Sequence, residues 1–100
     1  MSPRIPVDRE KIAQFCRRHH VRRLALFGSV LRDDFRPDSD VDVLVDFDSR
    51  YPVGLGIIDM EDELSAILGN HKVDLVSRKY LNRRIRDRVL AEAEVQYAEG

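Results

Sequence analysis

Apolar and polar positions alternate with two periodicities along this chain, one typical of helices and one typical of strands. Over residues 7–20 the apolar side chains recur at spacings of three and four, which predicts an amphipathic helix capped by Asp8. Short apolar runs at residues 24–27 and 72–77 predict two strands. Residues 41–47 predict another strand, because their valines would share one face and their aspartates the other.

Three further segments carry a helical pattern, and they are residues 29–35, 55–68 and 79–92. Gly69 and Asn70 mark the end of the second of these helices, since a helix C-cap commonly uses these residue types. The last helix is predicted from Leu81, Ile85 and Val89, which recur every four residues and would form its apolar stripe.

The remaining segments predict loops, and the whole order predicts the fold class. Residues 36–40 and 49–54 are rich in turn-forming residues. The tail, residues 95–100, fits either a strand or a frayed end. Alternating helices and strands indicate an α/β or α+β fold, a small mixed β-sheet with helices packed on it. With 43% hydrophobic residues in a length of 100, residues 1–100 are expected to form a single domain with a modest core.

Cysteine content and hydropathy limit the compartment. Cys16 is the one cysteine, so the chain has no internal disulfide, which fits a reducing environment. It falls on the apolar stripe of the first helix, where a small core residue is favoured over a nucleophile. No run approaches the roughly 18 apolar residues of a membrane span. The first residues lack the apolar segment of a signal peptide. We expect a cytoplasmic protein without membrane contact.

Charge is segregated along the chain although the net charge is only −1. Residues 1–36 carry nine Lys/Arg and four Asp/Glu, and residues 64–100 carry seven and five. Residues 37–63 carry nine acids and one arginine. An acidic centre between basic flanks suits a bound cation together with an anionic ligand, and most of the other charges are interpreted as solvated surface.

Three acids form the candidate metal site. Asp40 and Asp42 lie two residues apart on one predicted strand, so their carboxylates point the same way, about 7 Å apart at the backbone. Asp74 completes a cluster if the strands 41–47 and 72–77 are neighbours. Mg²⁺ favours carboxylates together with substrate phosphates. Three carboxylates can hold two ions about 3.5–4 Å apart for in-line displacement at phosphorus. Taken alone, Asp38-Ser39-Asp40 fits a polar loop opening a strand. An EF-hand loop is excluded because its glycine and glutamate are missing.

A glycine-serine turn supplies the candidate nucleotide site. Gly28 would let the backbone approach a phosphate closely, and the predicted helix after it would present free amides. Ser29 adds a hydroxyl that can bind the β- and γ-phosphates. Arg32 and Arg36 are candidates to neutralise the leaving pyrophosphate, and Ser39 joins the predicted nucleotide-binding residues.

The combination of these motifs resembles a known family. Positions 28–42 read GSVLRDDFRPDSDVD, which is similar to the G-S-x10-D-x-D pattern of the DNA polymerase β-like nucleotidyltransferase superfamily. The wider stretch resembles its minimal nucleotidyltransferases, the MntA-type antitoxins encoded beside HEPN-domain toxins, and the likeness covers nearly the whole chain. It implies a nucleotidyltransferase-like core in which Asp40 and Asp42 bind metal. Asp74 would bind the catalytic metal and help to deprotonate the acceptor.

The resemblance also implies a reaction and a partner. A hydroxyl would attack the α-phosphate of Mg·ATP and release pyrophosphate, with two Mg²⁺ ions stabilising charge on the attacking and leaving oxygens. The acceptor would be a tyrosine of the HEPN toxin, which the added AMP would silence. Since a core of this type uses nearly the whole length, the partner is expected to bring its own docking surface.

Other functions stay open at this point. The protein could neutralise the toxin by binding alone, or it could be a small-molecule nucleotidyltransferase, although the second domain usual in such enzymes has no counterpart in this sequence. RNA binding is disfavoured, because the basic residues lack interleaved aromatic residues. The arginine-rich last helix is either a docking face or a solvated face, and its arginines are Arg83, Arg84, Arg86 and Arg88.

Overall fold

The protein is described by a computed structural model. The structure describes residues 5–32, 35–36, 38–48, 50, 56–78 and 81–99. Its helices are α1 (Arg9–Arg18), α2 (Ile57–Ile67) and α3 (Arg83–Glu92), and its strands are β1 (Val21–Phe27), β2 (Val41–Phe47), β3 (Val73–Ser77) and β4 (Glu94–Ala98). A single 3₁₀ turn, Gly28–Leu31, follows β1. In the described ranges, no helix has the length and apolar character needed to cross a bilayer.

The strands form one mixed sheet in the order β3-β2-β1-β4. β1 pairs antiparallel with β2 and with β4, whereas β2 and β3 are parallel. The parallel pair requires a crossover, and α2 supplies it between β2 and β3. The expected small mixed sheet with packed helices is therefore confirmed.

The main core lies between one face of the sheet and helices α1 and α2. Ile12, Phe15 and Cys16 of α1 and Leu64 of α2 are fully buried there, together with the valines of β2. Burying a side chain of this size contributes about 1.5–3 kcal/mol. Because the valines occupy alternate positions, Asp42 and the other intervening residues of β2 must point to the opposite face.

That opposite face carries a smaller apolar cluster beneath α3. Ala25 and Leu44 of the sheet are buried with Leu81, which precedes α3, and Val89 and Leu90 pack against them. None of the residues of α3 is fully buried. The last helix is thus a thin cover on the face that also bears the aspartates.

The helix ends follow local sequence signals. Asp8 Oδ1 accepts hydrogen bonds from the amides of Glu10 and Lys11 at 3.1 and 3.2 Å, as expected for the cap of α1. Gly69 and Asn70 have φ of +85° and +65° after α2, which confirms the predicted C-cap.

Two predicted elements differ from the structure near the candidate site. Of the helix expected over residues 29–35, the described part forms only the turn Gly28–Leu31, and Arg32 is already extended. A segment this short cannot offset the cost of helix nucleation. β1 begins at Val21 rather than Leu24. A bulge after Val21 places two consecutive arginines outside, and this hides the strand's alternation.

The C-terminal part needs two further corrections. α3 begins at Arg83, after Asn82 caps it by accepting from the Arg84 amide at 2.8 Å. Leu81 therefore lies outside the helix, and Ile85, with 47% of its surface exposed, does not belong to the apolar stripe. The tail forms strand β4 over Glu94–Ala98. The predictions for residues 33–34, for position 37, for the loop 49–54 apart from position 50, and for positions 55, 79, 80 and 100 lie outside the described residues.

Candidate active site

Gly28 ends β1 against the side chain of Asp42. Its φ is +77°, a conformation that L side chains rarely adopt. A Cβ built on Gly28 would overlap Asp42 Oδ2. Phe27 and Asp42 are partners in the β1–β2 ladder, so the turn starts directly beside this carboxylate. Backbone conformation and the close approach of Asp42 each require glycine at this position.

The sheet register brings the predicted acids together. Asp42 and Asp74 are Cα partners on the parallel strands β2 and β3. Neighbouring strands lie about 4.8 Å apart, and side chains of paired residues share a face. Asp40 precedes β2 by one residue and Asp42 is its second residue. The assumed adjacency of the two acid-bearing strands is thus present in the sheet.

Electrostatics set Asp42 apart from its neighbours. Its half-buried carboxyl has a pKa raised above the usual 3.8, first by burial and then by the negative charges of Asp74 and Asp40. Arg32, just after the 3₁₀ turn, partly opposes this shift. One carboxylate is therefore held at the centre of like charges, an arrangement that a bound cation would relieve.

A second aspartate of β2 shows what an ordinary structural acid looks like here. Asp46 shares the face of Asp42, but its Oδ2 lies 3.6 Å from Nη1 of Arg78 in an ion pair. Both side chains are partly exposed, so the pair contributes at most about 1 kcal/mol. The alternating acids of β2 thus differ in surroundings, and Asp46 offers a control for substitutions of Asp42.

The carboxylate oxygens of Asp40, Asp42 and Asp74 are ligands that suit a divalent cation, although the three side chains do not converge on one point. In the part of the chain that the structure describes, no group of three Asp, Glu, His or Cys side chains converges closely enough to hold an ion. Asp40 and Asp74 are exposed beside Asp42, and repulsion favours their separation in the absence of a cation. A bound Mg²⁺ would reduce the repulsion between these carboxylates. Such an ion keeps several waters and phosphate oxygens as its other ligands.

The other predicted nucleotide-binding residues lie around the same end of the sheet. Ser29 is half-buried in the 3₁₀ turn, where its carbonyl accepts from the Arg32 amide at 2.9 Å. Ser39 Oγ accepts from the Arg36 amide at 3.1 Å, and the Ser39 amide donates to the Arg36 carbonyl at 2.9 Å. Ser39 thus closes the turn that leads into Asp40, a structural role that the sequence also allowed.

Glu61, which no sequence pattern marks, is hydrogen-bonded to the backbone beside Asp74. From α2, its Oε2 accepts a hydrogen bond at 3.0 Å from the amide of Leu75, which directly follows Asp74. The same helix is tied to the entry of β3 by Ser65 Oγ, which donates to the His71 carbonyl at 2.6 Å. No local motif marks Glu61, because its partner is a backbone amide on a strand that only the folded topology brings near.

The arginines of α3 do not form one uniform face. Arg83, Arg84 and Arg88 are exposed, whereas Arg86 is half-buried and its Nη2 donates to the Leu81 carbonyl at 3.3 Å. Arg86 Nε is shielded from solvent without a hydrogen-bond partner. A docking role for this helix stays a prediction for its three exposed arginines.

Cys16 has no chemistry to contribute. It is fully buried in the main core, and burial raises the pKa of its thiol to about 12, with Arg17 opposing weakly. A neutral thiol without exposure is not a nucleophile. The expectation of a core residue is confirmed.

Comparison with known proteins points to one family. The family model described as polymerase beta, nucleotidyltransferase matches residues 10–99. The chain is 44% identical over 75 residues to protein adenylyltransferase MntA of Thermococcus cleftensis, which covers 75% of this chain and 74% of the relative. A solved structure provisionally described as a minimal nucleotidyltransferase is 40% identical, has a TM-score of 0.72 and covers 86% of both chains.

Two more distant structures share the fold. One is a toxin–antitoxin complex with AMP-PNP, with a TM-score of 0.73 at 18% identity over 92% of this chain and 74% of the other. The second is an MNT antitoxin in complex with a tri-AMPylated HEPN toxin of Shewanella oneidensis, with a TM-score of 0.64 at 17% identity over 90% and 69%. At these identities the likeness establishes a common architecture.

Proposed function

The chain belongs to the polymerase β nucleotidyltransferase family and is an enzyme of that class, and from this premise we propose that it transfers AMP from ATP to a tyrosine hydroxyl of a HEPN-domain toxin. It would act in the cytoplasm as the antitoxin of a toxin–antitoxin pair, with residues 1–100 as one catalytic domain. The observation that carries the proposal is the position of Asp42, which lies against the Gly28 turn and beside Asp74.

Each predicted site residue has a role in this proposal. Asp40, Asp42 and Asp74 would hold two Mg²⁺ ions, which when bound supply charge stabilisation at the attacking and leaving oxygens. The glycine-serine turn binds the β- and γ-phosphates through its amides and hydroxyl. Arg32 and Arg36 supply positive charge for the leaving pyrophosphate. Ser39, in the turn before β2, contributes to nucleotide binding.

The reaction is an in-line displacement at the α-phosphorus. The acceptor oxygen forms a bond to phosphorus as the bond to the pyrophosphate oxygen breaks, and Asp74 accepts the proton of the attacking hydroxyl. The turn at Gly28 holds the triphosphate while the acid-bearing strands define where the α-phosphate sits, so positioning supplies a large part of the rate.

Relatives support the choice of donor, acceptor and partner. The Thermococcus cleftensis relative is named a protein adenylyltransferase. The distant complexes contain AMP-PNP in one case and an AMPylated HEPN toxin in the other. An AMP group on a tyrosine adds bulk and negative charge, which would block a ribonuclease site nearby. These features favour ATP as donor and a protein hydroxyl as acceptor.

The test is the intact mass of the HEPN-domain protein encoded beside this chain, after incubation with the chain, Mg²⁺ and each nucleoside triphosphate in turn. We expect a gain of one AMP or a multiple with ATP. Asp42→Asn should lower the rate by at least about a hundredfold, since even supporting residues of metal sites cost 10–100-fold. Asp46→Asn, on the same strand and face but paired with Arg78, should retain activity.

The same experiment separates the alternative functions. No mass gain together with a stable complex would favour an antitoxin that acts by binding alone. No mass gain and no complex would favour a small-molecule acceptor. Equal activity of wild type and Asp42→Asn would contradict the assignment of the carboxylate cluster.

A further inference from the structure

Lys72 extends the pairing between β2 and β3 by one residue beyond the first residue of β3. Its carbonyl oxygen accepts a hydrogen bond from the amide of Val41 at 2.8 Å, so the backbone ladder continues at this position. Side chains alternate along a strand, and that of the neighbouring Val73 is buried in the main core. Lys72 therefore lies on the same face as Asp74, two residues before it and about 7 Å away at the Cα atoms.

The ammonium group of Lys72 is open to a ligand. Lys72 is exposed, and within the described ranges its side chain makes no hydrogen bond or ion pair, although Asp40 and Asp74 lie nearby. Mg²⁺ bound by these carboxylates would take up their negative charge and leave Lys72 for another anionic group. A lysine carries its charge on a flexible four-carbon stem, so it can reach a group that approaches from solvent.

The order of groups across the sheet assigns Lys72 to one side of the reaction. Gly28 lies on the β1 side of Asp42. Asp74 and Lys72 lie on its β3 side. In an in-line displacement the attacking oxygen enters opposite the leaving group. Since the proposed function places the β- and γ-phosphates at the Gly28 turn, the attacking hydroxyl approaches from the side of β3.

The β3 side is also the side that another protein can reach. β3 is an edge strand, because the sheet order is β3-β2-β1-β4. Asp40, Lys72 and Asp74 are all exposed at this edge. A hydroxyl on the surface of a second protein can therefore come beside Asp74 without entering a cavity. A positive charge at this point suits a phenol, whose oxygen becomes negative as its proton leaves.

We propose that Lys72 binds the acceptor: its ammonium group donates a hydrogen bond to the phenol oxygen of the attacking tyrosine and stabilises negative charge there. The inference rests on the proposed nucleotidyltransfer and deepens it. The bond from this oxygen to the α-phosphorus forms as the bond to pyrophosphate breaks. Asp74 accepts the phenol proton, and Lys72 keeps its own. A donor placed at the oxygen that gains charge acts mainly in the transition state, so it raises kcat.

The experiment measures AMP transfer from ATP to the HEPN-domain protein encoded beside this chain, prepared with tyrosine or with 3-fluorotyrosine. Fluorine makes the phenol more acidic, so its oxygen depends less on a neighbouring cation. Lys72→Met should lower kcat for the tyrosine form by about ten- to a hundredfold, the usual effect of losing a hydrogen bond from a charged group. The loss should be several times smaller with the fluorotyrosine form. KM for ATP should stay near its wild-type value.

Two variants control the measurement. Lys72→Arg keeps a cationic donor and should retain most of the activity. Lys11→Met removes the same charge from an exposed position of α1, on the other face of the sheet, and should transfer AMP as the wild type does. Because Lys72 is exposed, Lys72→Met should fold normally, and thermal melts followed by circular dichroism verify this.

The outcomes separate this inference from the proposed function. Normal transfer by Lys72→Met overturns the inference and leaves the proposed function standing. An equal loss with both acceptors also overturns it, because Lys72 would then act through Asp74 or the fold rather than on the phenol. A raised KM for ATP with normal kcat would assign Lys72 to the donor and likewise overturns it. No transfer by the wild type to either form contradicts both proposals.

Discussion

Asp42 and Asp74 stand opposite each other on the parallel strands β2 and β3, and Asp42 also lies against the Cα of Gly28. This relationship places a half-buried carboxylate between a glycine backbone and a second carboxylate. Such an arrangement is unfavourable for the protein alone, because burial and like charge both oppose ionisation of Asp42. Sites that violate the rules for stable packing in this way are commonly functional.

Asp42→Asn should therefore stabilise the metal-free protein. In EDTA at neutral pH we expect the free energy of unfolding to rise by a few tenths to about 1 kcal/mol, a modest gain because Asp42 is partly solvated. Urea denaturation followed by circular dichroism measures it. The gain should disappear on acidification, since a raised folded-state pKa gives the wild type stability at low pH that is lost as pH rises above 3.8 through the folded value. A destabilised variant in EDTA would show that the cluster is structural.

Mg²⁺ should reverse this order of stability. A cation bound by the three carboxylates stabilises the folded state in proportion to its occupancy, so the wild type should gain melting temperature as Mg²⁺ is added. Asp42→Asn should gain much less, whereas Asp46→Asn should respond as the wild type does. Thermal melts in EDTA and over a Mg²⁺ series test the prediction, and equal gains in all three proteins would place the ion elsewhere.

The sequence predicts the elements that depend on local pattern and misses those that depend on neighbours. β2 could be placed to the residue because its valines and acids alternate. β1 was predicted too short because the bulge after Val21 breaks its alternation, and a bulge is set by pairing with β2 rather than by composition. The candidate acids could be found from spacing, whereas Glu61 could not, because its partner is a backbone amide that only the folded topology brings near.

Gly28→Ala should lose both stability and activity. The new Cβ would adopt an unfavourable φ and overlap the Asp42 carboxylate, so we expect a cost of more than about 1 kcal/mol. Gly69→Ala is the matched control, since its φ is +85° but its Cβ would meet only His71, at 3.7 Å. It should lower stability by about 1 kcal/mol and leave AMP transfer unchanged below its melting temperature. Equal loss of transfer in the two variants would assign the effect to folding rather than to the site.

Cys16 offers a direct measure of how tightly the core is closed. Because its thiol is buried and its pKa is raised to about 12, iodoacetamide should react with the native protein far more slowly than with the protein in urea. Intact mass gives the rate without ambiguity, as the sequence has one cysteine. The native rate should fall further when Mg²⁺ is added if the ion stabilises the fold. Rapid labelling of the native protein would contradict the buried position on α1.

Glu61→Ala should weaken catalysis without touching the nucleotide turn. The carboxylate of Glu61 anchors the amide that follows Asp74, so its loss lets β3 shift relative to β2 and misplaces one acid of the cluster. We expect kcat to fall by about tenfold and the Mg²⁺ concentration for half-maximal activity to rise, as for other residues that orient metal ligands. KM for ATP should stay near the wild-type value. Glu61→Gln keeps an oxygen acceptor and should restore most of the activity. If Glu61→Ala instead loses activity only in step with its unfolded fraction, and its Mg²⁺ dependence is unchanged, then Glu61 serves the fold alone.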